Sequence, residues 1–327
     1  MTTTRSNNYS TLKAFTLILV VFAHITRMYT GYGAIIMPEN AVLKYVTEFI
    51  YLFHMPLFMF LSGAVYKSCI NAGKYNDFGK FVLIKAKRLV IPFIVFGIFY
   101  VTPIMLLLGI TPMSPLEYIV KGLLLCRDSR HLWFMYSLFQ FFLVIQILKP
   151  ILSKKKCAKY LLFVCSLLLY LLNGHTSSIF GMRQFFTYFC FFVAGYIFED
   201  LDKSLHIKRF WYFGFPLLIC MAFILFFISN TVTSLLCAFL GIAACILLIE
   251  HFADYLNSLS LFQKIQNTSM GIYLFHPMLI YIMFYFIHDI DLNPYMVTFA
   301  CFIITMLLSY FLTKLMRFLH LKTILGE

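Results

Sequence analysis

The sequence predicts an all-α protein that crosses a membrane about ten times, with both termini in the cytoplasm. Three observations predict it. Hydrophobic residues make up 62% of the chain and charged residues 12%, about half the charged share of soluble domains. Apolar runs of membrane-spanning length recur from one end to the other. With the N-terminus inside, twenty of the 26 Lys and Arg fall on inner segments. Six fall on outer ones: Arg27, Lys44, Lys121, Arg127, Arg130 and Arg183. The net charge of +13 is therefore a topology signal that also anchors the protein to membrane lipids. It is not the footprint of a nucleic-acid partner.

Each element has its own reason. The first span, 12–28, is the apolar run from Ala14 to Ala23, opened by Lys13 and closed by His24. No small-x-small cleavage site follows, so it reads as a retained span and not a signal peptide. The second, 49–66, descends from outside through Phe53-His54-Met55-Pro56. A polar inner connection, 67–88, carries six basic residues. The third span, 90–108, contains Pro103 and ends before Gly109 and Pro112. The fourth, 133–148, is opened by Arg127-Asp128-Ser129-Arg130-His131-Leu132-Trp133. The fifth, 160–172, is brief and stops at Asn173-Gly174; the sixth, 185–198, begins after Arg183 and Gln184. Spans at 211–228, 233–249, 270–287 and 296–316 follow, the ninth holding His276-Pro277. The whole chain, 1–327, is one membrane domain with no room for a soluble one. Nine scattered cysteines form no C-x-x-C, so neither a disulfide framework nor a metal site is expected.

Ionisable groups inside spans are functional candidates, because desolvating them is costly. Lys13 and His24 are eleven residues apart. At 100° per residue that is three turns plus about 20°, so both lie on one helix face, roughly 16 Å apart along the axis. A cation at one membrane surface is thereby aligned with an imidazole deep in the membrane, near the other side. His54 is expected at a similar depth, with Glu48 at the outer boundary, placed to orient an imidazole. A neutral imidazole takes a proton from a hydroxyl near pH 7. On the inner side, Lys85 and Arg88 are suited to phosphate. His276 lies near the inner start of its helix and serves either a polar pocket or a kink. On the outer side, Arg130, His131 and Trp133 offer a platform for a sugar.

Together these segments resemble the acyltransferase-3 family of integral membrane acyltransferases, especially its fucose 4-O-acetylase-like branch. The resemblance rests on Phe53-His54-Met55-Pro56-Leu57-Phe58 through Leu61-Ser62-Gly63, and on Lys85 to Arg88 with Pro92. It continues with His131-Leu132-Trp133-Phe134, Phe191-Phe192-Val193-Ala194-Gly195, and Gly271-Ile272-Tyr273 through His276-Pro277. The family carries an Arg, ten residues, then a His on its first helix; here the His is His24 and the Arg position holds Lys13. The resemblance implies acetyl-CoA as donor, with Lys13, Lys85, Arg88 and His276 in its site. It implies a glycan hydroxyl as acceptor, and a multi-pass protein of the bacterial cytoplasmic membrane. Some relatives end in an esterase-like domain that completes the transfer. This chain is expected to act directly on its acceptor, with His24 as base and His54 and Glu48 beside it; direct attack on the thioester and a covalent acetyl-imidazole both fit the sequence, and a homo-oligomer is allowed. The competing reading is a transporter or flippase for a glycan or lipid-linked sugar, against which stands the absence of two-half symmetry.

Overall fold

A computed structural model describes residues 3–201, 207–227 and 230–327. Lys203, one of the basic residues counted on the inner side, lies outside them. The described residues are helical with no strand among them. Helices run at α1 (Thr3–Thr26), α2 (Ala41–Asn71) and α3 (Phe78–Leu107). A short α4 covers residues 115–124. Then come α5 (Arg130–Lys154), α6 (Lys156–Leu171), α7 (Met182–Leu201), α8 (Arg209–Phe227), α9 (Thr231–Ser258), α10 (Ser260–Ile287) and α11 (Pro294–Phe318). Eight of these are long and apolar enough to cross a membrane, which makes this a multi-pass membrane protein.

All ten expected spans fall on helices, but two are not among the eight. Helix α6 has 16 residues, about 24 Å against a hydrocarbon core of about 30 Å. Helix α7 has 20 residues, with Arg183 and Gln184 at one end and Glu199 and Asp200 at the other. Most helices also run past their expected limits, because polar turns extend beyond the apolar stretch. The expected 67–88 connection shrinks to residues 72–77. Helix α2 continues to Asn71, and Asp77 caps α3 by accepting a hydrogen bond from the Lys80 N–H at 2.8 Å. Lys85 and Arg88 therefore sit on a helix. π-helical turns interrupt α3 at Ala86–Val90 and Gly97–Val101.

Helix α1 is the hub, packed on α2, α9, α10 and α11. At the end where it begins, Thr11 donates to Asn257 Oδ1 at 2.8 Å and Gln266 donates to the same oxygen at 2.7 Å, tying α1, α9 and α10 together. Helices α2 and α7 make the closest backbone approach. A Cβ on Gly63 would fall on the Phe192 carbonyl oxygen, and one on Gly195 would fall on that of Phe60. Small residues let membrane helices meet at this range. The two glycines belong to the Leu61-Ser62-Gly63 and Val193-Ala194-Gly195 segments singled out in the sequence.

Candidate active site

Two cavities meet inside the bundle. The proximal one, about 550 Å³, opens at the end where α1 begins. Lys13, Lys85, Arg88 and Arg317 supply its positive charge, Arg317 paired with the lining carboxylate Glu327, and Leu17, Phe58, Phe134 and Leu138 its apolar depth. The distal one, about 520 Å³, holds His24, His54, His131 and Trp133. Val20, Met55 and Tyr273 line both, so the cavities share a wall. Helix α1 presents Lys13 to one and His24 to the other, with Val20 between. A side cavity of about 460 Å³ shares Tyr51, Thr187 and Tyr188 with the distal one.

Four imidazoles cluster at the distal side. The His24 and His276 rings are 5.1 Å apart, and those of His276 and His131 5.9 Å. Tyr51 bridges the others, 6.3 Å from His24 and 4.7 Å from His54. Three of the four are anchored to carbonyl groups, which fixes the tautomer each presents. His54 Nδ1–H donates to Ile50 O at 2.8 Å and His276 Nδ1–H to Ile272 O at 2.9 Å, leaving both Nε2 atoms as acceptors. His131 Nε2–H donates to Leu274 O at 3.2 Å, and its buried Nδ1 has no partner. His24 makes no hydrogen bond to any described residue and is half-buried, so both its nitrogens are uncommitted.

Helix α10 places His131. Pro277 lacks the N–H that would close onto Tyr273 O. Beside that gap, Leu274 O accepts from His131 and Phe275 O accepts from Tyr100 at 3.0 Å. The Tyr273 hydroxyl returns a bond of 2.5 Å to His131 O. Just before His131, Cys126 and Arg130 take φ of 54° and 48°, a left-handed strain that such sites often store. Burial raises the Asp128 carboxyl above its ordinary value, opposed by Arg130, whose Nε lies 3.2 Å away. Trp133 stacks on Tyr188 at 4.8 Å, so one face of its ring is already covered.

The sequence-predicted residues are thus brought together in two groups, with two displacements and one separation. His276 joins the imidazoles and not the donor-side cations. Helix α10 begins at Ser260, ten residues before the expected start, which carries His276 about four turns in. Lys85 lines the proximal cavity, but its ammonium is caged by aromatic rings. It lies 3.8 Å from the Phe142 centroid, 4.9 Å from Tyr75 and 5.7 Å from both Tyr66 and Phe81. Glu48 lines the side cavity, apart from the imidazoles. Sequence reasoning passed over Arg27, Tyr51, Arg317 and Glu327. Arg27 follows His24 by three residues and Tyr51 precedes His54 by three, spacings that share a helix face. Arg317 holds Glu327 in a fork of 2.7 and 2.5 Å at the proximal mouth, and no local pattern announces that pairing.

No match is found among the curated proteins or the solved structures. The acyltransferase-domain model of the acyltransferase-3 family matches residues 7–314, nearly the whole chain, with the entire distal cavity and all of the proximal one but Arg317, Gly326 and Glu327. The chain belongs to the acyltransferase-3 family.

Proposed function

We propose that the protein is an O-acetyltransferase of the bacterial cytoplasmic membrane, of the fucose 4-O-acetylase-like branch, with both termini in the cytoplasm. It moves the acetyl group of cytoplasmic acetyl-CoA to a hydroxyl of a cell-surface or lipid-linked glycan. The observation that carries this reading is one helix, α1, serving two abutting cavities of different chemistry. The proximal cavity has cations at its mouth and apolar walls deeper in, which suits the phosphates and pantetheine arm of the donor. Its size falls in the range of about 300–1,000 Å³ typical of small-molecule sites. The distal cavity joins imidazoles to polar and aromatic side chains, which suits a sugar.

In the reaction, His24 takes the proton of the acceptor hydroxyl as its oxygen attacks the thioester carbonyl. The C–O bond forms, the C–S bond breaks, and the imidazolium returns its proton to the departing CoA sulfur. Lys13 and Arg88 hold the donor phosphates. Lys13 meets them as a point charge, without the paired hydrogen bonds of an Arg. Glu48, across the shared wall of Tyr51, has no direct part in this chemistry, and His54 and His276 shape the polar chamber around His24.

Purified protein is expected to convert acetyl-CoA to CoA and acetylated product when glycan acceptor is present. Absence of acetylated product with every acceptor class would exclude the proposal. Within the donor site, Arg88→Ala is expected to weaken CoA binding about tenfold or more, as for other charged hydrogen-bond partners. Lys85→Gln should weaken it less, because aromatic rings and not the open cavity hold that ammonium. Titration calorimetry with CoA checks the order, and equal losses would contradict the cage.

A further inference from the structure

The six basic residues of the outer segments run against the positive-inside bias, and the structure sorts them into two kinds. Lys44 pairs with Glu39 at 3.5 Å and Lys121 with Glu117 at 2.7 Å, and neither lysine lines the distal cavity. The other four, Arg27, Arg127, Arg130 and Arg183, all line it. They arrive from three separate places: the end of α1, the loop before α5 with the first residue of α5, and the start of α7. Asp128 is the one acidic side chain among the described residues of that lining, and Arg130 is its partner. Arg27 rests on Tyr51, 5.3 Å from the ring centroid, with Nη1 3.3 Å from the hydroxyl. Arg127 and Arg183 have no carboxylate partner among the described residues.

Four guanidinium groups against one carboxylate leave a formal excess of three positive charges in one chamber. Like charges gathered this way repel, and a low-dielectric wall sharpens the field they make. A neutral sugar gives no reason to gather them. An oxyanion does, because the planar guanidinium fork matches carboxylate and phosphate oxygens. The arginines also line the same chamber as His24, so an anion held there shares a cavity with the base.

We propose that the acceptor is an anionic glycan, whose carboxylate or phosphate is gripped by Arg127 and Arg183 while a nearby hydroxyl is presented to His24. The inference deepens the acetyltransferase reading and rests on it. Anchoring of the arginines to anionic lipid headgroups is the alternative.

The test uses the full chain in nanodiscs of neutral lipid and three oligosaccharides of equal length. One contains glucuronate, one is its carboxyl-reduced neutral form, and one is phosphodiester-linked. Equilibrium binding is measured without donor, and acceptor KM with acetyl-CoA. At least one anionic form is expected to bind about tenfold or more tightly than the neutral form, and the two anionic arms tell carboxylate from phosphate. Arg127→Gln with Arg183→Gln is expected to erase the difference. Each single variant keeps part of it, and Lys121→Gln keeps all of it. Equal binding of all three sugars overturns the proposal. So does a preference that survives in a folded double variant, or arginines that respond only to anionic lipid vesicles. Anion-selective binding without any acetyl transfer would support the anion site and remove the acetyltransferase reading, so the two can fail separately.

Discussion

Replacing His24 with alanine is expected to lower acetyl transfer by about 10²–10⁴-fold, the usual worth of a positioned general base. Expression, membrane insertion and CoA binding are expected to persist, because His24 lines a cavity and makes no hydrogen bond to any described residue. The distinction from its neighbours is geometric. His54, His131 and His276 each spend one nitrogen on a backbone carbonyl. His24 spends neither nitrogen on a described residue, which leaves one to face the acceptor oxygen and the departing sulfur in the proposed reaction. It also rides on the helix that presents Lys13 to the proximal cavity. Acceptor-dependent release of CoA, followed with a thiol reagent, measures the effect. Wild-type turnover in a folded His24→Ala protein would remove His24 from the chemistry.

Gly195→Val is expected to cost the fold itself. Its new Cβ would collide with the Phe60 carbonyl oxygen, as one on Gly63 would with that of Phe192. Ordinary overpacking costs about 1–3 kcal/mol and is relieved by rotamer shifts. Here the obstacle is backbone on the facing helix, so α2 and α7 must separate. Helix α2 carries His54, and α7 carries Arg183, Thr187 and Tyr188 to the distal cavity, so the site is lost with the packing. The variant should elute as aggregate from detergent-solubilised membranes, whereas Gly174→Val, where nothing lies within 4 Å, should elute as the wild type. A monodisperse, active Gly195→Val protein would mean that the two helices do not meet at these glycines.

Apolar runs made the helices and their order legible, because hydrocarbon demands them and helix periodicity does not blur over twenty residues. Helix ends were less legible. Residues 260–269 include Gln263, Lys264, Gln266, Asn267, Thr268 and Ser269, a polar run that reads as a connection although it is the first part of α10. That hidden start misplaced His276. The expectation that Lys13 and His24 share a helix face came from helix geometry alone, and the one for His54 from counting turns; the structure places Lys13 on the proximal cavity and both histidines on the distal one. What required the third dimension was contact between distant segments. The four aromatic rings around Lys85 come from three helices and the 72–77 loop. The convergence of Arg27, Arg127 and Arg183 joins residues more than 150 positions apart. Glu48 illustrates the opposite case, close to His54 in sequence but facing another cavity.

In the proposed reaction, donor and acceptor reach one imidazole from opposite faces of the membrane. Proteoliposomes test it directly. Acetyl-CoA, which does not cross the bilayer, is added outside vesicles whose lumen holds the glycan acceptor, and acetylated glycan is assayed after lysis. Product is expected when the two substrates are on opposite sides and none when both are outside. Product formed only with both substrates on the same side would contradict it.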